Sequence, residues 1–238
     1  MSPQRSWQGL ILVLVVCGLL LVGCGSTPTT TTAPEASPDE TTTQADTTIS
    51  AQASLAPAAE QLAQLNGKAK VIMTVEGQPI EIEVDGEQAP ITAGNFIDLV
   101  ERGVYNGLVF HRVVRDPNFS IAQGGDPQSG SPDVPRERLG TGSFMDPDTG
   151  EPRFIPLETS PELTHKRGAI AMARSSMPNS ASAQFYITSN AIPALDGGYA
   201  VFGYVTSGMD VVDAIEEGDR IDSAIVVEGI ENFQPPES

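Results

Sequence analysis

Between Lys70 and Glu228 the chain breaks into short runs of β-branched and aromatic residues separated by Gly, Pro, Asn and Asp. That rhythm leaves few folds open, because runs of about four to eight residues bounded by turn formers suit strands and are short for helices. Val71-Ile-Met-Thr-Val75 and Ile80-Glu-Ile-Glu-Val84, joined at Glu76-Gly77-Gln78, predict a hairpin whose second strand alternates apolar with acidic residues. Further strands are expected at 108–114, 119–123, 168–173, 183–188, 199–206 and 221–228. Two segments break the pattern with helical spacing. One is 90–102, with Pro90 in its first turn, Ala93, Phe96, Ile97 and Val100 on one stripe, and Gly103 beyond its end. The other is 208–217, with Met209, Val212 and Ile215 inward and Gly218 as its stop. Many short strands with two helices predict a mainly β fold, a closed antiparallel barrel with helical caps.

The stretch Gly107 to Asp126 puts a permanent cation among apolar residues. Alternation through 108–114 sends Phe110, Arg112 and Val114 to one face and His111 and Val113 to the other. Arg112 is then either a solvated edge arginine laying its stem over Phe110 and Val114 or a preorganised donor aimed at a substrate. Asp116-Pro117-Asn118 is turn chemistry, so Phe119 to Gln123 returns as a second strand, and Gly124-Gly125 closes it.

A second stretch bears on that choice. Met172-Ala-Arg-Ser-Ser-Met-Pro-Asn-Ser-Ala-Ser-Ala-Gln-Phe-Tyr-Ile-Thr188, Leu195-Asp-Gly-Gly-Tyr-Ala-Val-Phe-Gly203, Phe110-His-Arg-Val113 and Gln123-Gly-Gly-Asp126 closely resemble the cyclophilin-type peptidyl-prolyl cis-trans isomerases. The resemblance implies an eight-stranded barrel with a helix over each end, and rotation about X-Pro bonds as the activity. It assigns Arg112 to the twisted amide and makes Gln123 and Gln184 its supports. The apolar proline pocket falls on Phe119, Ile121, Tyr186 and Leu195. Ala173-Arg174-Ser175 matches the edge segment that pairs with the peptide, Tyr199 stands where some members carry a histidine, and His111 packs beside the site. Gly140-Thr-Gly142 resembles a loop bordering the groove.

The match has departures. Phe119 precedes Gln123 by four residues where three is usual, which leaves either Phe119 or Ser120 for the pocket wall. Ala194 replaces a rim tryptophan of some relatives, on which binding of the inhibitor cyclosporin leans. The alternative function is a non-catalytic proline-peptide-binding chaperone or scaffold of the same fold.

Ahead of the domain, Arg5, the uncharged run Gly9 to Val22 and Leu21-Val22-Gly23-Cys24 have the length of a signal-peptide core. Leu-Val-Gly-Cys looks like a bacterial lipobox, with cleavage before Cys24 and acylation of that cysteine; the other reading is an ordinary signal peptide with an incidental Cys. The expected domains are a lipoprotein signal peptide (1–23), a lipidated Cys24 with a Thr/Pro/Ser-rich disordered stalk (24–67) and a globular domain (68–238). A flexible stalk of about 44 residues would hold the domain roughly 35–40 Å from a bilayer. Within it, Leu55, Ala58, Ala59, Leu62 and Leu65 have the spacing of a lead-in helix over 54–67.

The net charge of −18, one unit more negative once Arg5 leaves with the signal peptide, disfavours nucleic acid and anionic lipid as partners. His111 and His165 are the only histidines and have no neighbouring Cys, so no metal and no cofactor is expected. Asp146-Pro-Asp148-Thr-Gly150 begins like a calcium loop, but Leu157 stands where the last oxygen ligand belongs, which makes it a plain turn. The reading is of a monomer in the cell envelope, membrane-anchored outside the cytoplasm, whose clients are proline-containing unfolded or partly folded envelope proteins.

Overall fold

The computed structural model describes residues 62–236. The signal segment 1–23, Cys24 and the stalk as far as 61 lie outside the described residues. β2 (Lys68–Val75) and β3 (Gln78–Asp85) form the expected hairpin, paired from Lys68 opposite Asp85 to Val75 opposite Gln78. Glu76 and Gly77 both have positive φ, +48° and +74°, which is the two-residue turn whose twist suits the flanking strands. The turn is therefore tighter than the sequence pattern suggested, and Gln78 already belongs to β3.

α1 (Pro90–Glu101) starts at its proline, as expected. Ala89 supplies no side-chain cap. Glu158 does so from far along the chain, accepting from the Ile91 and Thr92 N–H groups at 3.2 and 2.8 Å and placing a carboxylate at the positive end of the helix dipole. Gly94 sits mid-helix at a propensity cost of about 1 kcal/mol relative to Ala. The reason is a close approach: a Cβ there would lie 2.4 Å from the Gln64 Cα, because β1 (Gln64–Leu65) crosses the helix at that point.

β1 pairs with β10 (Phe233–Gln234), Leu65 lying opposite Phe233, and Leu62 and Leu65 are buried. The described end of the supposed lead-in helix is thus a strand. The folded unit also takes in 62–67, which the sequence reading gave to the stalk.

The other strands are β4 (Arg112–Asp116), β5 (Phe119–Gly124), β6 (Ala169–Met172), β7 (Phe185–Thr188), β8 (Val201–Ser207) and β9 (Ile221–Glu228). With β2 and β3 they make one eight-stranded antiparallel sheet in the order β4-β5-β7-β6-β8-β3-β2-β9. α2 (Met209–Ala214) is shorter than 208–217 and packs on β3.

The closed barrel expected from the sequence is corrected to a half-barrel, because β4 and β9 end the sheet and do not pair with each other. The segment before β4 reaches the start of β9 through one isolated bridge, Val109 to Arg220, with Gly107 N–H donating to the Ile221 carbonyl and Phe110 N–H to that of Asp219. Opposite β4 itself, α2 and the chain between it and β9 offer carbonyls and a carboxylate where a strand would offer a ladder. The Val113 N–H donates to Glu217 at 3.1 Å, and the Arg115 guanidinium donates to the Val212 and Ile215 carbonyls, each at 2.9 Å. Polar side chains thus satisfy an edge that would otherwise invite pairing with another chain.

Inside the curve Phe185 meets Phe96, Tyr105 and Phe110 edge-on, with centroids 5.8, 5.3 and 6.1 Å away, the geometry aromatic quadrupoles favour. The Tyr105 hydroxyl donates to the Ala183 carbonyl at 3.1 Å, so its one polar atom is satisfied.

Candidate active site

Arg112 opens β4, and the antiparallel register sets it opposite Gln123. Phe110 does not share its surroundings, contrary to the alternation read over 108–114: the regular strand begins only at Arg112, and Phe110 is fully buried in the aromatic core. The guanidinium Nη1 donates to Gln123 Oε1 at 3.3 Å, Gln123 Nε2 donates to Gln184 Oε1 at 3.1 Å, and Gln184 Nε2 donates to the Gly142 carbonyl at 2.8 Å. The chain has only one sense. A carbonyl can only accept, so Gln184 must turn its nitrogen to Gly142 and its oxygen to Gln123, which must then turn its own oxygen to the arginine. Asp126, fully buried, holds the loop at the far end by accepting from the Gly140, Gly142 and Gln128 N–H groups at 2.5, 3.2 and 2.8 Å.

Phe119, Ile121 and Gln123 follow at intervals of two along β5 and so share a face. Phe119 and not Ser120 forms the wall: the Arg112 guanidinium carbon lies 5.9 Å from the Phe119 ring centroid, whereas Ser120 is buried and donates its N–H to Asn190 Oδ1 at 3.1 Å. An even separation keeps Phe119 on the face of Gln123, and β4 and β5 pair without a bulge.

Together with Ala173, Arg174, Tyr186, Leu195 and Tyr199, the residues Arg112, Phe119, Ile121 and Gln123 enclose a cavity of about 150 Å³. Three predicted residues lie outside its lining. Gln184 acts at one remove through Gln123, and with Ser175 it lines an adjoining cavity of about 450 Å³ that also contains Gly142, Phe154, Met177, Ser180 and Ser182. His111 lines neither cavity. Its ring nitrogens are buried, and burial, opposed by Asp126 and reinforced by the Arg112 charge, pushes its pKa down. Arg174 is turned inward, where its guanidinium donates to the Gly198 and Ser175 carbonyls and lies 4.7 Å over the Tyr199 ring, which fixes the rim of the pocket.

Sequence reasoning missed the support behind the pocket wall. Tyr186 stands edge-on to Tyr199, and its hydroxyl lies 2.8 Å from His165 Nε2, while His165 Nδ1 lies 2.7 Å from Asp196 Oδ1. Burial pushes the Tyr186 pKa up. Met177, Ser180 and Ser182 lay inside the quoted motif and could have been named; Phe154 sits in a loop with no periodicity to mark it. The calcium-like turn uses Asp146 on Arg153, whose Nε and Nη2 donate to it at 3.0 and 2.8 Å. Among the described residues no cluster of His, Cys, Asp or Glu converges as a metal site.

The family model for the cyclophilin type peptidyl-prolyl cis-trans isomerases matches residues 70–232. A protein of Synechocystis that carries the name of a thylakoid lumen peptidyl-prolyl cis-trans isomerase is 39% identical over 203 residues, 72% of this chain and 50% of that one. A protein of Brucella abortus named for the same activity is 39% identical over 158 residues, 66% of this chain and 76% of that one. The chain thus spans half the length of the first and about three quarters of the second. The crystal structure of a cyclophilin type isomerase of Cryptosporidium parvum, determined in the presence of the dipeptide Ala-Pro, superposes with a TM-score of 0.56 at 26% identity, over 67% of this chain and 99% of that one. A hydrogen-bonded cation over a small apolar cavity, on this half-barrel and with these relatives, places the chain in the family of cyclophilin-type peptidyl-prolyl cis-trans isomerases.

Proposed function

We propose that this chain turns X-Pro bonds of unfolded or partly folded proteins outside the cytoplasm, held at a membrane by lipid on Cys24. The observation that carries the catalytic reading is the Gly142–Gln184–Gln123–Arg112 hydrogen-bond chain at the mouth of the cavity walled by Phe119, Ile121, Tyr186 and Leu195. An X-Pro amide rotates slowly because twisting breaks resonance against a barrier of about 18–20 kcal/mol. No bond is made and no proton need move. As the C–N bond twists, the proline nitrogen becomes pyramidal and gains a lone pair, to which a fixed, permanently charged guanidinium can donate. The apolar walls hold the ring while Gln123 keeps the donor aimed, so the twisted amide is bound better than either planar form.

Arg112 is exposed, so Arg112→Ala is expected to leave the fold intact and to lower kcat/KM on a short X-Pro peptide by roughly 10²–10³, the scale of one lost preorganised donor. A protease-coupled assay measures it, and a loss below about threefold would remove Arg112 from this role.

The extracytoplasmic part rests on the signal-like leader and on the thylakoid lumen named for the Synechocystis relative. Among the described residues no helix is long and apolar enough to cross a membrane; the proposed attachment rests on the lipobox-like Leu21-Val22-Gly23-Cys24. Cys24→Ser should shift the protein from the membrane to the soluble fraction or leave the precursor uncut. Recovery of soluble wild type without acyl mass would overturn the anchor.

A further inference from the structure

We infer that His165 is a positioning residue for turnover: by holding the Tyr186 hydroxyl proton away from the proline pocket it keeps that wall apolar, and its protonation makes the isomerase lose activity in acid. The inference rests on the isomerase reading and goes beyond it, since nothing in rotation of an amide titrates.

The geometry starts at Asp196, which follows the turn carrying Leu195. Its Oδ1 accepts from the His165 backbone N–H at 2.8 Å and faces the ring Nδ1 at 2.7 Å. Burial would raise the Asp196 pKa, but the donors from His165 outweigh it and hold the carboxyl below its ordinary range. A carboxylate has no proton to give, so Nδ1 must carry one. In neutral His165 the other nitrogen, Nε2, is then an acceptor only, and the Tyr186 hydroxyl, 2.8 Å away, must donate to it. The rings of His165 and Tyr186 stack at 13° with centroids 6.0 Å apart, and the His165 side chain is fully buried. Each proton in the Asp196–His165–Tyr186 set therefore has one assigned place.

Protonation reverses the last link. With both ring nitrogens donating, Nε2–H points at the Tyr186 oxygen, and the phenol proton must swing to the other side. Tyr186 is 4% exposed and lines the 150 Å³ cavity, so the displaced donor is left in a buried wall against which the proposed proline ring packs. A buried donor without a partner is costly, and binding of an apolar ring over it suffers.

Other charges nearby are spoken for. Arg174 lies over Tyr199, Lys166 sits 3.8 Å from the Tyr204 ring centroid, and Arg167 pairs with Asp213. Tyr204 exchanges hydrogen bonds with the Thr164 backbone. Burial of His165 lowers its pKa and Asp196 opposes that, so the loss sets in below the ordinary histidine value of about 6.5.

Exchange NMR on an X-Pro peptide needs no coupling protease and can follow kcat/KM from pH 8 to about pH 4.5. The wild type is expected to lose at least about threefold over that range. His165→Gln, which does not titrate, should flatten the profile. His111→Gln, which removes the histidine beside Arg112, should keep the acid limb. An acid limb that survives in His165→Gln, or vanishes in His111→Gln, overturns the assignment, as does a flat wild-type profile. Activity of the wild type at pH 8 tests the isomerase reading separately, and melting curves of each variant confirm that it is folded. A long-range nitrogen–proton spectrum at pH 8 should show His165 protonated on Nδ1; the Nε2 tautomer would contradict the mechanism.

Discussion

A guanidinium helps a twisting amide only if something stiffer than its own stem aims it. In the proposed mechanism the aim comes from a backbone carbonyl through two glutamines, and each member was readable as a motif position. The direction of each hydrogen bond was not, because it depends on Gly142, which the chain brings in from a loop. The pocket wall was likewise half legible. The count between Phe119 and Gln123 left Ser120 open, and only the unbroken β4–β5 register settles it, since an even separation keeps two side chains on one face of a strand. His165 was visible only as a histidine without metal partners; its partners Tyr186 and Asp196 are 21 and 31 residues away. Ala194, exposed beside Leu195, carries the prediction for cyclosporin. A rim indole supplies apolar contact and a donor together worth about 2–4 kcal/mol, so wild-type inhibition should be weaker by roughly 30 to 1,000-fold than in relatives with the tryptophan. Ala194→Trp should recover part of that in an inhibition titration without raising kcat/KM. Nanomolar inhibition of the wild type would show a differently built groove.

At the scale of elements, α1 and the long loop after β5 are locked together by charge. The Arg153 side chain, 5% exposed, donates to Asp98 on α1 and to Asp146, and lies 4.7 Å over the Phe144 ring. Burial would raise the Asp146 pKa, but the Arg153 hydrogen bonds outweigh it and hold it low. Removing one partner of a buried ion pair costs about 3–5 kcal/mol. Asp98 would keep Arg102 at 2.8 Å, so Arg153→Met should fall near the lower end, about 3 kcal/mol by urea denaturation with an unchanged m-value. A loss under about 1 kcal/mol would mean the network is solvated in practice. None of this could be foreseen from a loop without periodicity. α1 could, because Pro90 and Gly103 mark its ends locally. The strand start could not: Leu108 and Phe110 continue the β pattern, yet the Leu108 carbonyl accepts from Ile221 and the Phe110 N–H and carbonyl pair with Asp219 and Gly218. Leu65 misled for the same reason, since helical spacing within 54–65 says nothing of its partner Phe233.

For the whole molecule, acid should weaken the fold. Burial depresses the pKa of both His111 and His165, so between the folded and unfolded values the unfolded chain binds more protons. Stability is then full above about pH 6.5 and declines as pH falls toward the folded values. Asp146, Asp196 and Asp213 are also held low, and their contribution is lost further down, as pH drops through the carboxylate range. Protonation also relieves the self-repulsion of a −18 chain, which acts the other way; melts at high, constant salt suppress that part. Tm is expected to be lower at pH 5 than at pH 7.5 under those conditions, and an equal or higher Tm at pH 5 would contradict the sign. The half-barrel adds a different asymmetry. A sheet with two ends has two terminal strands, here β4 and β9, and β4 carries Arg112. Its outer side is held by Arg115 and Glu217 and not by a ladder, so its only ladder is to β5, whereas β3 is laddered to both β2 and β8. Local opening on that side would then begin at β4, the strand that carries the proposed site.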